Sequence, residues 1–454
     1  MNPEFQRNLW LELTPRRLTL MVVLLALAFF AAALSGGADH GPASTAKWLY
    51  YAIVVIWGAR NAALAVVGEI RERTWDMQLL SSIGAGAMTW GKLFGSTVYN
   101  WFGGAICLAV ILAETAAHKG AVPALIDLAY YLAVGVISQA AALLASLVAA
   151  RRRQAHSRLD IFIYQAVGVA AGVAVFAIWS LADPAGSILT RKPASDFIAW
   201  WGAALDMRAF LLASLAVFAA WTFVACYREM RLELKMRNGP FVWLAFLVFI
   251  GVYVSGFDAW LRNDQSVAGW DALALRLGLA ATTFGALTYA MVVLEPKDRV
   301  HLRWLGSQLG SGRLGAAFGG LQSWMTAYLA TFLCSAALVL WLQRIRPDNF
   351  EQPALIAATL GFITRDLAIF ILMRARPGRG RGDFAAIAVL FALYALAPAI
   401  VNGVGLANLL VAFYPRTTSP LWLAPAIAWA EALAAVFFAL ARVSLSRSKN
   451  PAIA

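Results

Sequence analysis

Charge is scarce in this sequence. Only 13% of its 454 residues are Asp, Glu, Lys or Arg, and 61% are hydrophobic. Soluble domains carry about a quarter charged residues, so the deficit excludes an ordinary water-solvated domain. Cysteine is also rare. Cys107, Cys226 and Cys334 each fall inside an apolar run, which excludes a disulfide framework and makes them packing residues. The four histidines, His40, His118, His156 and His301, are scattered through loops. No metal-ligand spacing and no nucleophile triad can be assembled, so neither a metal site nor a catalytic site is expected. One stretch imitates a phosphate loop: Gly86 to Gly91-Lys92 has the G-x4-G-K spacing. Leu93 follows where a hydroxyl is needed to hold Mg²⁺, and no buried strand precedes it. The chain is therefore expected to hold no nucleotide and no other cofactor.

What is abundant is the long apolar run. The mean hydropathy is +0.70, and the runs are about 18 to 25 residues long, enough to cross a hydrocarbon core of about 30 Å. Helices satisfy their own backbone groups in lipid, and a β-barrel would need shorter, alternating segments. The sequence predicts an all-α polytopic membrane protein of about twelve transmembrane helices. The first six lie near Leu18–Leu34, Trp48–Val67, Leu93–Ala113, Leu125–Ala150, Ile161–Ala182 and Ala209–Tyr227. The second six lie near Phe241–Phe257, Ala272–Leu294, Leu321–Leu342, Ala354–Met373, Phe384–Val401 and Leu421–Ala441.

The net charge of +13 is distributed as a topology signal, with no separate basic arm for nucleic acid. With the N-terminus inside, the internal segments hold about 25 Lys and Arg and the external ones about 9. The positive-inside rule then places both termini in the cytoplasm. Three arginines, Arg60, Arg276 and Arg365, lie within spans.

The two halves resemble each other. Glu69–Gly86 (EIRERTWDMQLLSSIGAG) aligns without a gap to Glu295–Gly312 (EPKDRVHLRWLGSQLGSG), 226 positions later. Glu69/Glu295, Arg73/Arg299, Leu79/Leu305, Ser81/Ser307, Gly84/Gly310 and Gly86/Gly312 are identical, and Arg71/Lys297 and Glu72/Asp298 keep their charge. The basic loops Arg151–Asp160 and Arg374–Asp383 match as well, as do Leu11–Leu13 and Leu232–Leu234. Six spans per half is an even number, so the two repeats, 1–227 and 228–454, share one orientation as parallel repeats.

The loop after the second span of each half reads as an amphipathic helix. In the first, Trp75, Leu79 and Ile83 recur at helical spacing while Arg71, Glu72, Arg73 and Asp76 supply charge. Glu69 is expected near its N-terminal end, where the helix dipole favours an acid. External segments follow the fifth span of each half, Pro184–Met207 with Phe197, Trp200 and Trp201, and Asn402–Pro420 with an apolar stretch too short to span. Both suit aromatic interfacial helices or re-entrant turns.

At these residues the chain resembles the permease subunit of an ATP-binding-cassette exporter of the type-two class. The resemblance rests on Asn2-Pro3 with basic residues in a leading helix, on Glu69, Glu72, Thr74 and Asp76 after the second span, and on Gly91-Lys92 leading into the third. The second half follows by topology and departs in detail, with Val300 in place of Thr74 and no Gly-Lys. The resemblance implies a fused pair of six-span units in a bacterial inner membrane. It implies two separate cytoplasmic ATPase subunits, which would bind ATP and Mg²⁺. They would dock on Glu69, Arg71, Glu72, Arg73, Thr74, Trp75 and Asp76, and on Glu295, Lys297, Asp298 and Arg299. The contrasting reading is an ion- or proton-coupled secondary transporter of twelve spans. It would draw on the intramembrane polar residues Arg365, Asp366 and Glu431, with Gln139 at the position matching Arg365 in the first half. A third reading is a scaffold without transport or a membrane-embedded enzyme subunit. The few charges in the spans favour a lipidic, amphiphilic or weakly polar cargo.

A charge at the bilayer centre costs about 2.5–3.5 kcal/mol on insertion scales, so these residues need partners. Glu431 lies at a depth suited to Arg365. Consecutive helix residues point about 100° apart, which predicts that Arg365 and Asp366 do not satisfy each other.

Overall fold

A computed structural model describes residues 2–35, 41–151, 158–180, 197–236, 238–262, 267, 269–295, 299–374 and 382–445. Within them the fold is all-α, and the one sheet is a two-stranded hairpin of β1 (Phe197–Trp200) and β2 (Ala203–Asp206). Eleven helices among the described residues are long and apolar enough to cross a membrane. The chain is a multi-pass membrane protein. The seventh expected span, Phe241–Phe257, is an apolar helix of 15 residues ending at Ser255, about 22 Å long at 1.5 Å per residue.

The helices gather into two compact units, Met1–Ile198 with Ala204–Asn238, and Gly239–Ala454 with Ala199–Ala203. The first unit opens with α1 (Pro3–Glu12), started by Pro3 at its first turn and by Asn2, whose Oδ1 accepts the N–H groups of Glu4 and Phe5. Then come the spans α2 (Pro15–Ser35) and α3 (Pro42–Arg71), the short helices α4 (Trp75–Leu79) and α5 (Ala85–Trp90), and the spans α6 (Val98–Lys119) and α7 (Ala121–Arg151). Gly120 alone joins α6 to α7, at φ +93°, a value that glycine adopts freely. The spans α8 (Arg158–Ser180) and α9 (Met207–Glu233) complete the unit. Small residues let these helices meet closely. Ala59, Ala62, Ala63 and Val66 of α3 share a buried core with Ala140, Leu143 and Leu147 of α7 and with Cys226 and Met230 of α9.

The second unit holds α10 (Phe241–Ser255), α11 (Ala272–Leu294), α12 (Arg299–Gly310), α13 (Leu314–Gly319), α14 (Ser323–Ile345), α15 (Glu351–Arg374), α16 (Gly382–Gly403) and α17 (Leu423–Leu445). Ala358 and Phe362 of α15 pack with Ala424 and Ala428 of α17 and with Val411.

The two segments that follow the fifth span of each half take different forms. The segment after the fifth span, expected outside as an aromatic interfacial helix or a re-entrant turn, is where described the β1–β2 hairpin; 184–196 lies outside the described residues. Its Trp200 and Trp201 donate their indole N–H groups to Tyr253 O and Val252 O of α10, at 3.0 and 3.2 Å. Trp200 ends β1, and Trp201 takes a left-handed backbone at φ +52° in the turn between the strands. In Asn402–Pro420, Ala407–Ala412 forms a 3-10 helix with Leu410 and Val411 buried.

Candidate functional site

The residues after the second span do not form the single amphipathic helix the spacing predicts. α3 continues to Arg71, so Glu69 sits in the last turn of the span and not at the start of a docking helix. Arg73 then takes a left-handed backbone at φ +60°, and the Thr74 N–H closes the turn on Glu69 O at 2.9 Å. α4 lasts five residues, the chain breaks across Leu80–Gly84, and α5 follows. Trp75 is buried, and Leu79 and Ile83 pack against the same core. The apolar stripe therefore belongs to the first unit's own interior. Arg71, Glu72, Arg73, Thr74 and Asp76 are exposed, with Met77 and Leu80 beside them.

What holds this segment is a charged knot. Lys92 is 1% exposed, and its ammonium lies between the carboxylates of Glu4 (2.8 Å) and Glu69. Arg7 pairs with the same two acids from α1. Gln78 of α4 donates to Glu69 Oε1 at 2.7 Å, and the Trp75 ring lies 5.8 Å from the ammonium. Four elements, α1, α3, α4 and the turn after α5, are tied at one point. Asn2 adds a bond to Ala87 O at 2.6 Å, and Asn8 adds one to Gly91 O at 3.2 Å. Gly91 explains the Gly-Lys pair. A Cβ there would stand 2.6 Å from Glu4 Cγ and 3.0 Å from the Phe5 nitrogen. Gly91→Ala should lift α1 off this surface and lower stability by about 1–3 kcal/mol, the range for overpacking. Limited proteolysis should then cut near Glu12 several times faster than in the wild type. Unchanged cleavage would show that α1 adapts without leaving.

The second unit solves the same problem differently. Glu295, matching Glu69, accepts the Ser323 and Trp324 N–H groups at 3.2 and 3.4 Å, capping the start of α14. In each unit the acid ending the second span thus holds the start of the third, by a lysine in one and by backbone donors in the other. Lys297 and Asp298 lie outside the described residues, and Arg299 opens α12. α12 is pinned by His301, whose Nε2 lies 2.8 Å from Gly320 O, and by Trp304 stacked on His301.

Within the spans, Arg365 is buried and its Nη1 meets Glu431 Oε2 at 2.7 Å, the pair expected from their depth. The expectation that Arg365 and Asp366 do not meet is corrected: Arg365 Nε donates to Asp366 Oδ1 at 3.1 Å. The angle between the two Cβ directions is offset by the reach of the guanidinium, which folds back along the helix. Tyr289 and Tyr394 donate to Asp366 Oδ2, both at 2.7 Å, and Arg365 Nη1 also approaches Ala412 O at 3.3 Å.

Gln139 is fully buried in the first unit and serves a feature that sequence reasoning missed. Tyr51–Trp57 of α3 is a π-helix, and side chains of neighbouring spans bond its carbonyl oxygens. Asn100 donates to Ile53 O at 2.9 Å, Gln139 to Val54 O at 3.0 Å and Gln165 to Ile56 O at 3.0 Å. Trp101 in turn donates to Gln139 Oε1 at 2.8 Å. Gln139 lies in the first unit and Arg365 in the second. π-bulges recur at functional sites.

Comparison of the chain with protein-family models, curated proteins and solved structures finds no match.

Proposed function

We propose that the chain is the membrane permease of an ATP-driven exporter in a bacterial inner membrane, with both six-span units in one polypeptide as parallel repeats. On this reading both termini and the α4–α5 and α12–α13 segments face the cytoplasm, and two ATPase subunits dock there. The observation that carries it is the charged knot. It leaves Glu72, Arg73, Asp76, Met77 and Leu80 outward on a short segment whose base is fastened to α1 and α3. A segment built this way transmits a push to the second and third spans. A loop that only joined two spans would need no such fastening. ATP hydrolysis belongs to the partners on this reading, and the chain supplies the path and the lever.

The knot separates two kinds of residue that the sequence grouped together. Glu69 and Trp75 act inside the unit, while Glu72 and Asp76 are free to meet a partner. Tagged protein purified in mild detergent should bring down an ATPase. Glu72→Lys with Asp76→Lys should cut its recovery about tenfold, a loss of 1.4 kcal/mol in affinity, while the permease keeps its own yield and thermal midpoint. Absence of any ATPase from the wild-type preparation, or full recovery with the double variant, would defeat the docking proposal.

The Arg365–Asp366–Glu431 cluster favours the second reading, an ion-coupled transporter, because intramembrane acids are a common means of ion coupling. Transport in sealed vesicles separates the two. An exporter of the first kind runs on internal ATP after an uncoupler has collapsed the ion gradients, and a secondary transporter stops.

A further inference from the structure

Arg60 stands on α3, eleven residues before Arg71, about 16 Å along the axis at 1.5 Å per residue. It is exposed, and among the described residues it has no ion-pair partner. Arg365, the other arginine deep in a span described above, is 4% exposed and paired with two acids. Long side chains near a membrane surface ordinarily escape by stretching to the nearer interface. Helix geometry opposes that here. Cα–Cβ bonds tilt toward the helix N-terminus, so a side chain covers the turn before its own Cα. Arg60 therefore leans away from the Arg71 end, over Ile56 and Trp57 in the middle of the 30-residue span.

A second polar group occupies that turn. Gln165 of α8 donates to Ile56 O at 3.0 Å on an exposed surface. The π-helix has opened this carbonyl to a neighbour's side chain. Ile56 and Trp57 beside it are 48% and 42% exposed. The strip thus combines an unpaired guanidinium, a carboxamide and apolar side chains at membrane depth. Hydrocarbon does not accept the first of these; an oxyanion does, through parallel N–H···O bonds.

We infer that Arg60 and Gln165 form an intramembrane binding site for the anionic headgroup, carboxylate or phosphate, of an amphiphilic ligand whose chain lies along Ile56 and Trp57. This deepens the permease reading and rests on it for the passage of the ligand, although binding itself needs no ATPase.

The test uses the full chain alone in nanodiscs of zwitterionic lipid. The probes are a fluorescent long-chain fatty acid, its methyl ester, and a phosphatidic acid bearing the same fluorophore. The wild type should bind both acids about tenfold more tightly than the ester, a charge-assisted preference. Arg60→Gln should abolish the preference. Arg60→Lys should keep part of it, because the charge remains and the bidentate geometry is lost. Gln165→Leu should weaken both acids severalfold while leaving the ester unchanged. A stronger hold on one acid than on the other assigns the headgroup. Equal binding of acid and ester by the wild type overturns the inference with no variant needed, and so does a preference that survives in folded Arg60→Gln. Failure of the permease reading would show instead as absence of an ATPase in the capture experiment, with acid binding intact.

Discussion

Lys92→Met should destabilise the first unit by about 3–5 kcal/mol, the cost of removing one partner from a buried ion pair. The ammonium is 1% exposed and lies between Glu4, 3% exposed, and Glu69. Without it the two acids are left with Arg7, which is 44% exposed and reaches both from the rim. Methionine fills much the same volume, so packing against Trp75 is largely kept and the loss isolates the charge. The loss should be recovered in large part when Glu4→Gln and Glu69→Gln are added, because neutral side chains of the same shape leave no unpaired buried charge, and Arg7, 44% exposed, is left to solvent. Glu72→Lys, on the exposed surface, should change stability by no more than about 0.5 kcal/mol. The unfolding midpoint in mild detergent measures all three. A triple variant as unstable as Lys92→Met would mean that Lys92 acts by packing and that its charge is incidental.

The consequence for function lies in rigidity. α1, α3, α4 and the turn after α5 share one buried ammonium, so a displacement at Met77 or Leu80 is carried to the spans without slack. In the second unit Glu295 accepts backbone N–H groups at the start of α14. The two units are thus fastened by different chemistry at matching positions. Weakening the knot by neutralising Lys92 should therefore affect the α4–α5 segment and leave α12 and α13 in place.

The spans were legible because their signal is collective. Twenty apolar residues in a row state their environment whatever their partners, and eleven of the expected spans recur to within a few residues. The break between α4 and α5 was written in Ser81-Ser82-Ile83-Gly84, a turn-forming run inside an apolar periodicity. The periodicity of Trp75, Leu79 and Ile83 outweighed it, and those residues do face one way, but inward. Glu4 could not have been placed from sequence. Its role depends on α1 lying across Gly91, a contact between segments more than 80 residues apart. The carbonyls of the π-helix were invisible for the same reason. Asn100, Gln139 and Gln165 are each the one amide in their span, with no mutual spacing, and they converge only through the helix they serve. A lone amide in an apolar run was the available signal, because a polar group buried in a membrane needs a partner.

Arg365→Leu should be the most damaging substitution in the second unit, also by about 3–5 kcal/mol. The guanidinium ties α15 to α17 through Glu431 and to the 3-10 segment through Ala412 O, while Asp366 holds its Nε. Its loss strands two acids, and they are not equally placed. Asp366 is 1% exposed and keeps the hydroxyl groups of Tyr289 and Tyr394, whereas the Glu431 side chain is 34% exposed. Adding Asp366→Asn to Arg365→Leu should therefore recover more stability than adding Glu431→Gln. Glu431→Gln alone should be mild, about 1–2 kcal/mol, since the amide oxygen still accepts from the charged Arg365 and the change exchanges an ion pair for a hydrogen bond with one charged partner. That mildness makes it the informative variant for transport. If the cluster only fastens α15 to α17, Glu431→Gln should leave the transport rate per folded molecule near that of the wild type. A rate reduced tenfold at wild-type yield would instead assign Glu431 to the cargo or a coupling ion. Because the acid would then be exchanging its partner during turnover, the pair with Arg365 would be one state of the cycle and not a permanent tie.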